Sequence, residues 1–168
     1  MARILGFTVV ELITTLVLLA ILSGFAMSAF IKPSSFAPGT FTAQLEQELL
    51  LTQAMATARQ NTASSLALLK DANDWLVQVS NDTDGLVRET RIAAYNSSIA
   101  ASNGAINATI TTSQTLILDY NGTGEITRAE LAGNALDPML GINLVVSGDS
   151  SRSLCIYPSG HLTDAFCS

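Results

Sequence analysis

The stretch Gly6-Phe7-Thr8-Val9-Val10-Glu11-Leu12 opens an apolar run that continues to Ile31. Between Phe7 and Ile31 the polar side chains are Thr8, Glu11, Thr14, Thr15, Ser23 and Ser28. A helix rises 1.5 Å per residue and about 20 apolar residues cross the hydrocarbon core, so this run is expected to span a membrane. Arg3 precedes it, which favours a cytoplasmic location for the first residues. An ordinary secretory signal is the rival reading, because Ala26-Met27-Ser28 has the small-x-small pattern of a cleavage site. The run is long for the apolar region of such a signal.

Glu11 discriminates between the two. A carboxylate in the bilayer costs about 2.5–3.5 kcal/mol on insertion scales, so a compensating cation is expected. Cleavage between Gly6 and Phe7 would create one, the α-amino group of Phe7. That amine would lie four residues from Glu11, about 6 Å along a helix. On a neighbouring subunit displaced by a similar distance, it would neutralise the carboxylate.

This combination resembles the processing site of type IV prepilins and type II secretion pseudopilins. The resemblance implies that residues 1–6 are a leader, that a prepilin peptidase cuts after Gly6, and that Phe7 is then N-methylated. Glu11 takes the position of the family's buried glutamate, which sets subunit register. A minor pilin or pseudopilin is therefore expected, a structural subunit rather than an enzyme. Its implied partners are the peptidase, major and minor pilin subunits and the inner-membrane assembly platform. Its implied location is the inner membrane, as a single pass with a periplasmic head, and then the pilus or pseudopilus. The alternative, from another class, is a membrane-tethered periplasmic module that binds calcium or serves adhesion.

The rest of the 168-residue chain is acidic. The formal net charge is −6, and only Arg3, Glu11 and Lys32 are charged before residue 33, which argues against a nucleic-acid partner. Lys32 to Thr40, with two prolines and a glycine, reads as a breaker linker over residues 32–40. Phe41, Leu45, Leu49, Thr52 and Ala56 then recur at helical spacing, predicting an amphipathic helix to about Asn61 that lies on a sheet. Strands are expected at Ser65–Leu69, Trp75–Val79, Leu86–Ile92, Thr115–Leu118, Ile142–Val146, Leu154–Tyr157 and His161–Phe166. The expected fold is α+β: the membrane helix of residues 7–31, then a head over 41–168 made of a helix and an antiparallel sheet. The order of long helix, Trp-containing hairpin and closing hairpin is similar to the H-type minor pseudopilins. The ending Leu154-Cys155-Ile156-Tyr157-Pro158-Ser159-Gly160-His161 through Cys167 is similar to the C-type minor prepilin of mannose-sensitive haemagglutinin pili.

Three groups of residues carry possible chemistry. Cys155 and Cys167 permit a disulfide in an exported domain; free thiols are the alternative, and two cysteines with His161 alone make a poor zinc site. Asp119, Asn121, Thr123, the Glu125 carbonyl and Glu130 stand at positions one, three, five, seven and twelve of an EF-hand-like loop, with Gly124 at the sharp turn. Calcium is the one cofactor this suggests. The competing reading is a glycine-rich β-turn, since Thr115–Leu118 looks like a strand where an EF-hand has a helix. Ser159, His161 and Asp164 have the residue types of a triad, but crowding on one strand sends neighbours to opposite faces.

Overall fold

A computed structural model describes residues 8–30, 33–59 and 62–167. The chain divides into two compact units, Met1–Lys32 and Pro33–Ser168. In the first, helix α1 covers Val9–Phe30. Every side chain described in it, from Val9 to Gly24, is exposed. Among the described residues no helix is long and apolar enough to cross a membrane.

The second unit begins with helix α2, Pro33–Ala58. The predicted stripe is its buried face: Phe41, Leu45, Leu49, Thr52 and Ala56 are all buried, with Ala37 one turn earlier. The expected breaker over 32–40 is corrected here, because residues 33–40 are helical despite Pro38 and Gly39. Proline is tolerated at the first helical position, where Pro33 stands and where the missing N–H has no helical partner in any case. Pro38 is buried and lies beside Gly148 in the turn after β9. The same turn binds the start of α2 through hydrogen bonds from the Ser34 hydroxyl to Asp149 and from Ser150 Oγ to the Ser35 carbonyl. These tertiary contacts offset the helical hydrogen bond that Pro38 cannot make.

Among the described residues eleven strands follow, in two antiparallel sheets. β1 (Ser64–Asp71), β2 (Asp74–Asn81) and β3 (Gly85–Ala93) form a meander. β4 (Ser98–Asn103) and β5 (Ile106–Ile110) then form a hairpin in the other sheet. β6 (Thr115–Tyr120), β7 (Ile126–Leu131) and β8 (Asn134–Leu136) return to the first sheet, with β6 beside β1. A 3-10 turn at Pro138–Leu140 leads to β9 (Ile142–Ser147), β10 (Ser151–Ile156) and β11 (Leu162–Thr163), with β9 beside β4. The sheet orders are β3-β2-β1-β6-β7-β8 and β11-β10-β9-β4-β5.

All seven expected strands exist, but β4, β5, β7 and β8 were not anticipated. The predicted strand His161–Phe166 is reduced to Leu162–Thr163, because the chain beyond it is drawn to β10 by the Cys155–Cys167 bridge. Inward alternation is clear in β9, where Ile142, Leu144 and Val146 are buried, as in β1, where Leu66 and Leu68 are. α2 packs on β1, β2, β3 and β6 of one sheet and on β9 and β10 of the other, so a single cluster of buried side chains joins all three layers. Trp75 is fully buried in it, edge-on to Phe41 at 5.9 Å, with its indole N–H donating to Ser97 Oγ at 3.0 Å.

Candidate functional site

Gly6 and Phe7 lie outside the described residues, so α1 is seen from Thr8 onward. Thr8 caps it: the Glu11 N–H donates to Thr8 Oγ1 at 3.3 Å, and the Leu12 N–H to the Thr8 carbonyl at 3.2 Å. Thr8-Val9-Val10-Glu11 thus has the spacing of a capping box, a signal visible in the sequence. Glu11 also places negative charge in the first turn, where the helix dipole favours it. Around it stand Val9, Val10, Leu12, Ile13, Leu16, Val17, Leu18, Leu19, Ile21 and Leu22, each at least half exposed.

The hydroxyls of this segment fold back on the helix. Thr14 donates to the Glu11 carbonyl at 3.0 Å, Thr15 to Leu12 at 2.9 Å and Ser23 to Ala20 at 2.9 Å. Each hydroxyl proton is therefore satisfied inside α1, as an apolar environment requires. α1, Val9–Phe30, contains no basic residue that could neutralise the Glu11 carboxylate.

The residues of the expected calcium loop have the arrangement of the competing β-turn. Asp119 and Glu130 sit on β6 and β7, and Arg128 lies between them, 3.4 Å from Asp119 and hydrogen-bonded to Glu130. Asn121 Oδ1 accepts from the N–H of Thr123 (3.0 Å), the hydroxyl of Thr123 (2.6 Å) and the N–H of Glu125 (3.0 Å). The Glu125 carbonyl, which would face the ion at position seven, accepts instead from the Asn121 N–H at 3.0 Å. The oxygens of Asn121, Thr123 and Glu125 thus close a hairpin turn, and the two outer carboxylates share a guanidinium. Among the described residues no group of His, Cys, Asp and Glu is arranged to hold a metal ion. Burial pushes the Asp119 carboxyl above the ordinary range, with Arg128 opposing and Asp82 and Glu130 adding to the effect.

The turn instead docks on α2. Gln53 Nε2 donates to the Gly124 carbonyl and to the Ser159 carbonyl, each at 3.0 Å, and the Ile126 N–H donates to the Pro158 carbonyl at 2.9 Å. One helix side chain therefore ties together the β6–β7 and β10–β11 turns. Gln53 was not singled out in the sequence, where a glutamine on a helix gives no sign of such a role.

Cys155 and Cys167 are joined, with Cα atoms 5.1 Å apart. Asn143 reinforces the closure by accepting from the Cys167 N–H. His161 stacks on Tyr157 at 6.1 Å and is exposed.

No family model and no curated protein sequence matches the chain. Two solved structures do. The fold is similar to the type IV minor pilin FimU of Pseudomonas aeruginosa, with a TM-score of 0.51 and 13% identity over 77% of this chain and 89% of that one. A second crystal form of the same protein gives a TM-score of 0.48 at 12% identity, over 74% and 90% of the two chains. The α+β architecture of helices and antiparallel sheets is therefore a pilin-like fold.

Proposed function

We propose that this chain is a minor pilin or pseudopilin: a structural subunit without catalytic activity, held in the inner membrane by residues 7–31 and then assembled into a pilus or pseudopilus. The observation that carries the reading is the sequence Gly6-Phe7 through Glu11 at the start of an apolar run, together with Glu11 in the first turn of α1, where the hydroxyls of Thr14, Thr15 and Ser23 are satisfied internally. The pilin-like fold of the remainder supports it. In this reading a prepilin peptidase removes residues 1–6 and methylates Phe7. Glu11 then finds the Phe7 amine of a neighbouring subunit on the assembly platform. The apolar surface of α1, exposed in the single chain, is covered first by lipid and later by other subunits.

The test separates insertion from assembly. Glu11→Val removes the charge that burdens the bilayer, so it is expected to insert at least as well as the parent and to enter filaments poorly. Glu11→Val incorporated as fully as the parent would overturn the pairing role. Gly6→Leu is expected to leave the leader attached, and its normal cleavage would overturn the processing site.

A further inference from the structure

Among the described residues four strands form the sheet edges: β3, β8, β11 and β5. Three of them carry features that discourage further pairing. β3 bears Arg88, Glu89 and Arg91, and its register with β2 shifts at Val79/Ser80. β8 is 3 residues long and runs toward Pro138. β11 is 2 residues long, and the disulfide fixes the chain just after it. Charge, bulges, brevity and proline are the means by which sheets keep their edges single.

β5 has none of these features. Among the described residues it pairs with β4 alone. Between Arg91 and Asp119 the sequence contains no charged residue and no proline. β4 and β5 are joined by Gly104-Ala105, with Asn103 opposite Ile106. In a two-residue hairpin the residues flanking the turn exchange hydrogen bonds, so Ile106, Ala108 and Ile110 direct their main-chain groups to β4. Asn107 and Thr109 direct theirs outward, and both residues are exposed.

The strand Ile106-Asn107-Ala108-Thr109-Ile110 is also nearly symmetrical about Ala108. Two antiparallel copies centred on Ala108 place Asn107 opposite Thr109 of the other copy, and these are the residues with free outward groups. The isoleucines and alanines then share one face and the polar side chains the other, as pairing of half-buried sheets requires. The net charge of −6 makes two copies repel, and this charge-free span is where they approach with least opposition.

We propose that β5 is a homotypic pairing edge, at which a second copy of this chain adds antiparallel about Ala108 and joins the two five-stranded sheets into one. The inference uses only the second unit and does not depend on the pilin reading.

The test uses the full chain in detergent micelles. In the proposed register each Ala108 faces its counterpart in a non-hydrogen-bonded pair with Cα atoms about 4.5 Å apart, within disulfide range. Mild oxidation of Ala108→Cys is expected to give roughly tenfold more covalent dimer than Thr127→Cys, an exposed control on β7. The pair N107K/T109K and the pair N107E/T109E are each expected to abolish self-association, and mixing the two chains is expected to restore it as a heterodimer. Equal dimer yields at positions 108 and 127 would overturn the proposal. So would a dimer that persists in both charged variants, since it would be held elsewhere, for instance by α1.

Discussion

Gly124 and Gly133 hold nearly the same backbone conformation, with φ of +84° and +82°. Their surroundings differ. A Cβ on Gly124 would lie 2.9 Å from Thr57 Cγ2 and 3.1 Å from Gln53 Cγ, whereas one on Gly133 meets nothing within 4 Å. Gly133→Ala is expected to destabilise by about 1 kcal/mol from backbone strain, and Gly124→Ala by about 2–3 kcal/mol because the helix contact is also displaced. Denaturant titration of the full chain in detergent checks the ranking. Tyr120 gives the opposite case: its hydroxyl is buried and has no partner among the described residues. Tyr120→Phe is therefore expected to be neutral or stabilising by up to about 1 kcal/mol. Burial also raises the Tyr120 pKa well above its ordinary value. Above about pH 10 the unfolded chain releases this proton while the folded chain keeps it, so stability falls with rising pH. That alkaline loss should be smaller in Tyr120→Phe. At the β6–β7 turn, melting in millimolar calcium and in chelator should give one midpoint, since Arg128 already occupies the space between Asp119 and Glu130.

At the scale of elements, the disulfide joins residues 12 apart in sequence. Closing so short a loop restricts the unfolded chain by about 3 kcal/mol in the chain-entropy treatment. Replacing both cysteines with alanine is expected to lower stability by about 2–3 kcal/mol and to expose the amides of β11 to hydrogen exchange before those of β9. The bridge was open to a sequence reader because the chain contains only these two cysteines. The buried stripe of α2 was legible for a similar reason: five apolar or small residues repeat at one spacing. The start of α2 was not. Pro33, Pro38 and Gly39 are local breakers, and what overrides them is the turn at Gly148–Ser150, more than 100 residues away. β4 and β5 were not legible because Ser, Ala, Asn and Thr dominate them, so Ile99, Ile106 and Ile110 are too sparse among small polar residues to mark the alternation. The calcium pattern matched in residue type and spacing, but only the register of β6 with β7 reveals that Arg128 comes opposite Asp119.

At the scale of the whole molecule, hairpins were readable and their assembly was not. The junctions β1 with β6 and β4 with β9 decide which strands share a sheet, and both connect segments far apart in sequence. No turn signal encodes them; they follow from burying one face of each sheet with α2. The functional reading depends on a different part of the chain, the segment around Gly6, Phe7 and Glu11. Its most direct test is the intact mass of the full-length protein recovered from a host that carries a prepilin peptidase. The expected product lacks residues 1–6 and carries one methyl group on Phe7. A chain that retains Met1, or one that begins near Ala29, would contradict the assignment.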